Sequence, residues 1–163
     1  MRVLFLDIDG VLNTDDFLTL AHAASGLSVT DFRADPWRHL DPALVARLNR
    51  VVASTGAVVV LSSDWRKAPR NPGVDGTQAA LDRVGATFHL AGATPMLPGK
   101  MWRGACRGDE CQAWLDAHPA VTTWAAVDDR DDFGVWPSRL VQTDPMEGLT
   151  DADAERLIAL LEA

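Results

Sequence analysis

The chain has 163 residues, 47% of them hydrophobic and 23% charged; such a chain can bury about 68–70% of its unfolded surface, which excludes intrinsic disorder. Its longest apolar runs, such as Val58-Val59-Val60-Leu61, fall far short of the ~20 residues that span a bilayer, and no signal peptide is read at Met1-Arg2. Acids outnumber Lys and Arg by 23 to 15, a net charge of −8, which opposes a long nucleic-acid groove and suits binding of a metal cation.

In chain order, residues 3–6 form an apolar run that ends in Asp7, the pattern of a buried parallel strand. Residues 41–53 read as a helix, with Asp41 as cap, Pro42 at its first position, and Leu44, Val45, Leu48, Val51 and Val52 on one face. After Gly56, residues 57–61 read as a second buried strand. A helix is expected over 76–84 and a weaker strand over 87–90. Next come a helix over 108–117, with Cys111, Trp114 and Leu115 inward, and a strand over 124–127 ending in Asp128. An edge strand over 139–142 and a helix over 151–161 close the pattern. Residues 14–40 and 91–106 show no clear period and read as long loops flanking an active site. Cys106 and Cys111 are too few for a disulfide framework; they read as reduced thiols, which places the protein in a cytoplasm.

Three of these strands end in polar residues: Asp7 and Asp9, then Ser62 and Ser63, then Asp128 and Asp129. Open parallel sheets bind ligands at the carboxyl ends of their strands. Four carboxylates in one crevice repel each other unless a cation joins them, and Mg²⁺ suits one or two carboxylates plus substrate phosphate. A carboxylate beside that ion can attack phosphorus, and a second, two residues on, can protonate the leaving group. Gly10 supplies the bend that lets Asp7 and Asp9 reach the same phosphate.

The string Phe5-Leu6-Asp7-Ile8-Asp9-Gly10-Val11-Leu12-Asn13 resembles the first motif of the haloacid dehalogenase (HAD) superfamily. Val59-Val60-Leu61-Ser62-Ser63 resembles the second, Ala125-Ala126-Val127-Asp128-Asp129 the fourth, and Arg107-Gly108-Asp109-Glu110 suits the third. Leu61-Ser62-Ser63-Asp64-Trp65-Arg66 and Asp128-Asp129-Arg130 are also similar to the small HAD domains of RNA repair proteins and to polynucleotide phosphatases. The resemblance implies a Mg²⁺-dependent phosphatase acting on a phosphate monoester, on nucleotides or nucleic-acid ends. It makes Asp7 the nucleophile and a metal ligand, and Asp9 the general acid/base, giving its backbone carbonyl to the metal. Ser62 would bond the transferring phosphoryl oxygens, Arg107 would neutralise them, and Asp128 and Asp129 would complete the metal site. Gly10, Ser63, Arg66 and Lys100 are the further phosphate or substrate contacts. Lys100 and Arg103 compete with Arg107 for the cationic role, and Arg66 is expected to balance Asp64.

The fold expected is α/β: a doubly wound, Rossmann-like, mainly parallel sheet with the first strand central, a HAD-like core over residues 1–163 as a single domain. Residues 14–40 would form a small flap insert, with Arg33, Trp37, Arg38 and His39 near substrate. That leaves no room for a full cap, so a large phosphorylated substrate could enter. Trp114 and Trp124 read as core, and Trp65, Trp102 and Trp136 as candidates to stack on a base or sugar. The competing reading is a HAD-like phosphate-binding or regulatory module without turnover.

Overall fold

A computed structural model describes residues 1–68, 70–98, 106–134 and 137–163. Five parallel strands form one sheet in the order β3-β2-β1-β4-β5. They are β1 (Arg2–Leu6), β2 (Val58–Leu61), β3 (Leu90–Ala93), β4 (Thr123–Asp128) and β5 (Leu140–Gln142). The chain builds outward from β1 to one edge through β2 and β3, then returns to the other side of β1 through β4. The crevice at that reversal is where the carboxyl ends of β1 and β4 meet.

Alternation along each strand sends neighbouring residues to opposite faces. Leu4, Leu6, Val59, Leu61 and Val127 join a core with the helices α3 (Pro42–Thr55), α4 (Gly73–Arg83) and α6 (Asp151–Glu162). Val3, Phe5, Val60 and Ala126 meet Cys111 and Trp114 of α5 (Arg107–Asp116) on the other face. Phe5 sits edge-on to Trp114 and Trp124, with ring centroids 5.6 and 5.7 Å away. With both faces covered, every position of β1 beyond Arg2 is buried, which is why the run is apolar throughout rather than alternating.

The helix expected at 41–53 is α3, with Pro42 at its first turn and the Asp41 carboxylate accepting the Ala43 N–H at 2.8 Å. Two stretches depart from the sequence pattern. The strand placed at 87–90 instead begins at Leu90. Before it, the Thr87 N–H is bonded to Asn49 Oδ1 at 2.9 Å, and Phe88 is buried in the core. Leu-Ala-Gly-Ala has little strand propensity, so β3 owes its place to pairing with β2.

Residues 14–40, read as a loop, are largely helical. They hold α1 (Asp15–Ser25), α2 (Val29–Ala34) and a short 3₁₀ turn, Pro36–His39. Thr14 and Ser28 cap the two helices by accepting from Phe17 N–H and Asp31 N–H, both at 3.1 Å. No residue of α1 is buried and α2 buries only Phe32, so both lie at the surface rather than in the core. Among the described residues no helix is long and apolar enough to cross a membrane.

Gly108, in the first turn of α5, sits against the loop after β4. A Cβ there would lie 2.6 Å from the Phe133 carbonyl oxygen, and backbone cannot yield as a side-chain tip can. Gly108→Ala is expected to cost about 1–3 kcal/mol in urea denaturation, because the loop or the helix must shift.

Candidate functional site

The sheet ladder continues past the strand ends and draws the polar residues together. The Ser62 N–H donates to the Leu6 carbonyl at 2.7 Å and the Asp7 N–H to the Val127 carbonyl at 3.0 Å. Asp7 and Asp128 are both buried, and with Asp129 they offer oxygens that all lie within 4.8 Å of one another. Gly10 makes that possible. It lies at φ +73°, and a Cβ there would sit 2.8 Å from Asp129 Cβ, so any side chain would drive Asp129 out of the cluster.

Burial holds the Asp7 carboxyl up at about 6, with Asp9 adding to the rise, while Ser63 and Arg107 pull the other way. Burial, then the Asp7 charge, pushes Asp128 up to about 8. Asp128 Oδ1 accepts the Arg130 N–H at 3.0 Å, but among the described residues its buried Oδ2 has no hydrogen-bond partner. Three hard oxygens at short range, one of them unsatisfied, fit a divalent cation such as Mg²⁺.

Asp9 is exposed at the mouth of a pocket of about 210 Å³ that Asp7, Ser63, Asp64, Arg107 and Asp129 also line. Its carboxylate is not loose. Asn13 Nδ2 donates to Oδ1 at 3.0 Å, and Trp65 Nε1 donates to both oxygens at 3.1 and 3.2 Å. Asn13 Oδ1 in turn accepts the Gly10 N–H at 3.0 Å. The Asp-Gly-x-x-Asn spacing carries a trace of the Asn13 contact in sequence. Trp65 joins from a different strand end, and no local pattern announces it.

Arg107 opens α5 with its guanidinium buried beneath the pocket. Nη1 donates to Glu110 at 3.2 Å and Nη2 to Asp64 at 3.4 Å, while Nε lies 3.6 Å from Asp128 Oδ2. Burial opposes its charge, but Asp7, Asp128, Glu110 and Asp64 outweigh that and raise its pKa further. Lys100, Arg103, Trp102 and Trp136 lie outside the described residues.

Two expectations need correction. The hydroxyl expected in the pocket was that of Ser62, yet its Oγ faces α5, 3.5 Å from Cys111 Sγ. Strand alternation gives the pocket to Ser63, whose side chain helps hold the Asp7 pKa down. Arg66 was expected to contact substrate and balance Asp64. Instead it is buried below the site, bonded to Glu110 at 2.5 Å and to the Ser63 carbonyl at 2.7 Å. Asp64 is balanced by Lys67 at 2.6 Å and by Arg107. Glu110, quoted in the third motif but given no role there, thus holds both arginines. Burial drives the Cys111 thiol up to about 12, so it stays protonated.

A parallel sheet with β1 at its centre and an acidic cluster at the switch point is the arrangement expected of a HAD-like domain. Residues 3–154 match the HAD domain found in Swiss Army Knife RNA repair proteins, and the chain belongs to that family. No curated protein and no solved structure matches it. Membership places it in a superfamily of hydrolases and phosphatases, some of whose members are non-catalytic.

The raised carboxyls have a consequence for stability. Asp7 and Asp128 hold protons in the folded state to higher pH than in the unfolded chain, so the folded state loses stability as pH rises. In EDTA the Tm is expected to fall between about pH 4, near the usual carboxylate pKa, and about pH 8, near that of Asp128. Mg²⁺ is expected to remove most of that slope, raising Tm more at the alkaline end, as differential scanning fluorimetry would read.

Proposed function

We propose that this protein is a Mg²⁺-dependent phosphatase that hydrolyses a phosphate monoester through a phosphorylated Asp7. The observation that carries this reading is the joint presence at one pocket of buried Asp7, the cationic Arg107 and the tethered Asp9.

Asp7, Asp128 and Asp129 would hold Mg²⁺, with the Asp9 backbone carbonyl as a further ligand. The ion supplies positive charge that keeps the clustered carboxylates ionised and offsets charge on the phosphoryl group. One Asp7 oxygen attacks phosphorus while the bond from phosphorus to the ester oxygen breaks, and the departing oxygen takes the proton from Asp9. Asp9, now a carboxylate, removes a proton from water as the water oxygen attacks phosphorus. The bond between Asp7 and phosphorus then breaks, releasing inorganic phosphate. Arg107 and the Ser63 hydroxyl bond the equatorial oxygens, whose charge grows in transfer. Arg66 acts below them as a positioning residue, through Glu110 and the Ser63 carbonyl.

Having an acid at position 9 favours ester hydrolysis over dehalogenation, which needs no leaving-group acid. The family's association with RNA repair supports nucleotides or nucleic-acid ends as substrates.

With Mg²⁺, the protein is expected to release phosphate from a panel of nucleotides and 3′- or 5′-phosphorylated oligonucleotides. Asp7→Asn should abolish release, and Asp9→Asn should lower kcat about 10²–10⁴-fold, the usual worth of a positioned acid/base. Turnover that survives Asp7→Asn would overturn the mechanism. Mg²⁺-dependent phosphate binding without turnover would select a non-catalytic binding module instead.

Ser63→Ala is expected to lower kcat more than Ser62→Ala in the same assay, because Ser63 lines the pocket and Ser62 faces Cys111.

A further inference from the structure

Two larger cavities lie beside the catalytic pocket, one sharing a wall residue with it and the other sharing walls with the first. The first, about 610 Å³, has Asp9, His22, Phe32, Arg33, His39 and Trp65 among its walls. Asp9 is common to this cavity and the catalytic pocket. The second, about 440 Å³, shares Arg33, His39 and Trp65 with the first and adds Arg70. Shared walls thus link the pocket at Asp7, by way of Asp9, to the cavities that Arg33 and Arg70 line.

The walls of this path are built from flat rings. The His22 and Phe32 centroids are 5.1 Å apart, Phe32 stacks on His39 at 5.1 Å, and His39 meets Trp65 edge-on at 6.3 Å. Among the described residues His39 Nε2 is buried in that wall without a hydrogen-bond partner. Arg33 and Arg70 make no ion pair among the described residues, whereas Arg38, Arg47, Arg50, Arg66 and Arg107 all do. Free guanidinium groups beside an aromatic slot suit a phosphate attached to a flat heterocycle.

We propose that this path is the leaving-group site, with a nucleobase in the aromatic cavity and a second phosphate at Arg33 and Arg70. The substrate is then a nucleoside carrying two phosphates, one hydrolysed at Asp7 and one retained as an anchor. The direction of the path rests on the phosphatase reading above; the anchor itself does not. The second phosphate can belong to a nucleoside bisphosphate or to the next linkage of an oligonucleotide, and both place the same group at the same arginines.

Turnover of a nucleoside 3′,5′-bisphosphate, the matching monophosphate, a dinucleotide with a terminal phosphate and p-nitrophenyl phosphate tests this. Wild-type kcat/KM is expected to be at least about tenfold higher for the two-phosphate substrates than for the monophosphate. The Arg33→Ala/Arg70→Ala variant should erase that preference through KM and leave p-nitrophenyl phosphate turnover unchanged. Preference for the dinucleotide over the bisphosphate would identify a chain end as the source, and the reverse a mononucleotide. A preference that survives in the double variant, or is absent in wild type, overturns the proposal. If no ester is turned over, the phosphatase reading fails and bisphosphate binding, read by calorimetry on the wild type, decides the anchor. At least tenfold weaker binding in the double variant supports it, and equal affinity overturns it.

Discussion

Three carboxylates forced together at the ends of two adjacent strands are the constraint on which the rest of the site depends. Asp7 and Asp128 are the first residue past β1 and the last of β4, strands paired in register from Arg2 with Thr123 to Leu6 with Val127. That register fixes how close they stand, and the close approach of Asp129 to Gly10 adds a third. Burial makes the crowding costly, which is why both Asp7 and Asp128 are pushed toward protonation. A cation turns that cost into binding energy, since it neutralises charges the fold has already brought together.

The surroundings of the cluster answer its charge in layers. Arg107 lies beneath, touching Asp128 and Asp64, and Glu110 balances it while also holding Arg66. The helix α5 that carries Arg107 is itself tied to the acidic loop, with the Gly108 N–H bonded to the Asp132 carbonyl at 3.2 Å. Helix, loop and strand ends are therefore joined, so the position of one cation is set by three segments of chain. Asp9 stands outside this buried network, at the mouth, where Asn13 and Trp65 hold it without enclosing it. The division suits two roles: a charge kept dry, and an acid kept in reach of solvent.

Much of the frame was legible because burial on both faces leaves an unmistakable mark. Val3-Leu4-Phe5-Leu6 and Val58-Val59-Val60-Leu61 are continuous apolar runs, the first leading directly to Asp7 and the second, one residue on, to Ser63. Asp41-Pro42 likewise announced a helix start by capping chemistry. The rest depends on contacts remote in sequence. Leu90–Ala93 becomes a strand by joining β2, and α1 and α2 lie on the surface, outside the core. Neighbouring serines look interchangeable in a string, yet strand alternation sends Ser62 to Cys111 and Ser63 to Asp7. Trp65 could be read as a stacking platform from its place after a strand. Its N–H on Asp9 emerges only when β1 and β2 stand side by side.

The central claim is that Asp7 becomes covalently phosphorylated during turnover. An acyl phosphate is reduced by borohydride, which converts the aspartate to homoserine and can be located by peptide mass spectrometry. With Mg²⁺ and a turned-over phosphate ester, the account predicts homoserine at position 7 and at no other aspartate. Steady turnover with position 7 left as unmodified aspartate under the same quench, or with the modification at another residue, would contradict it.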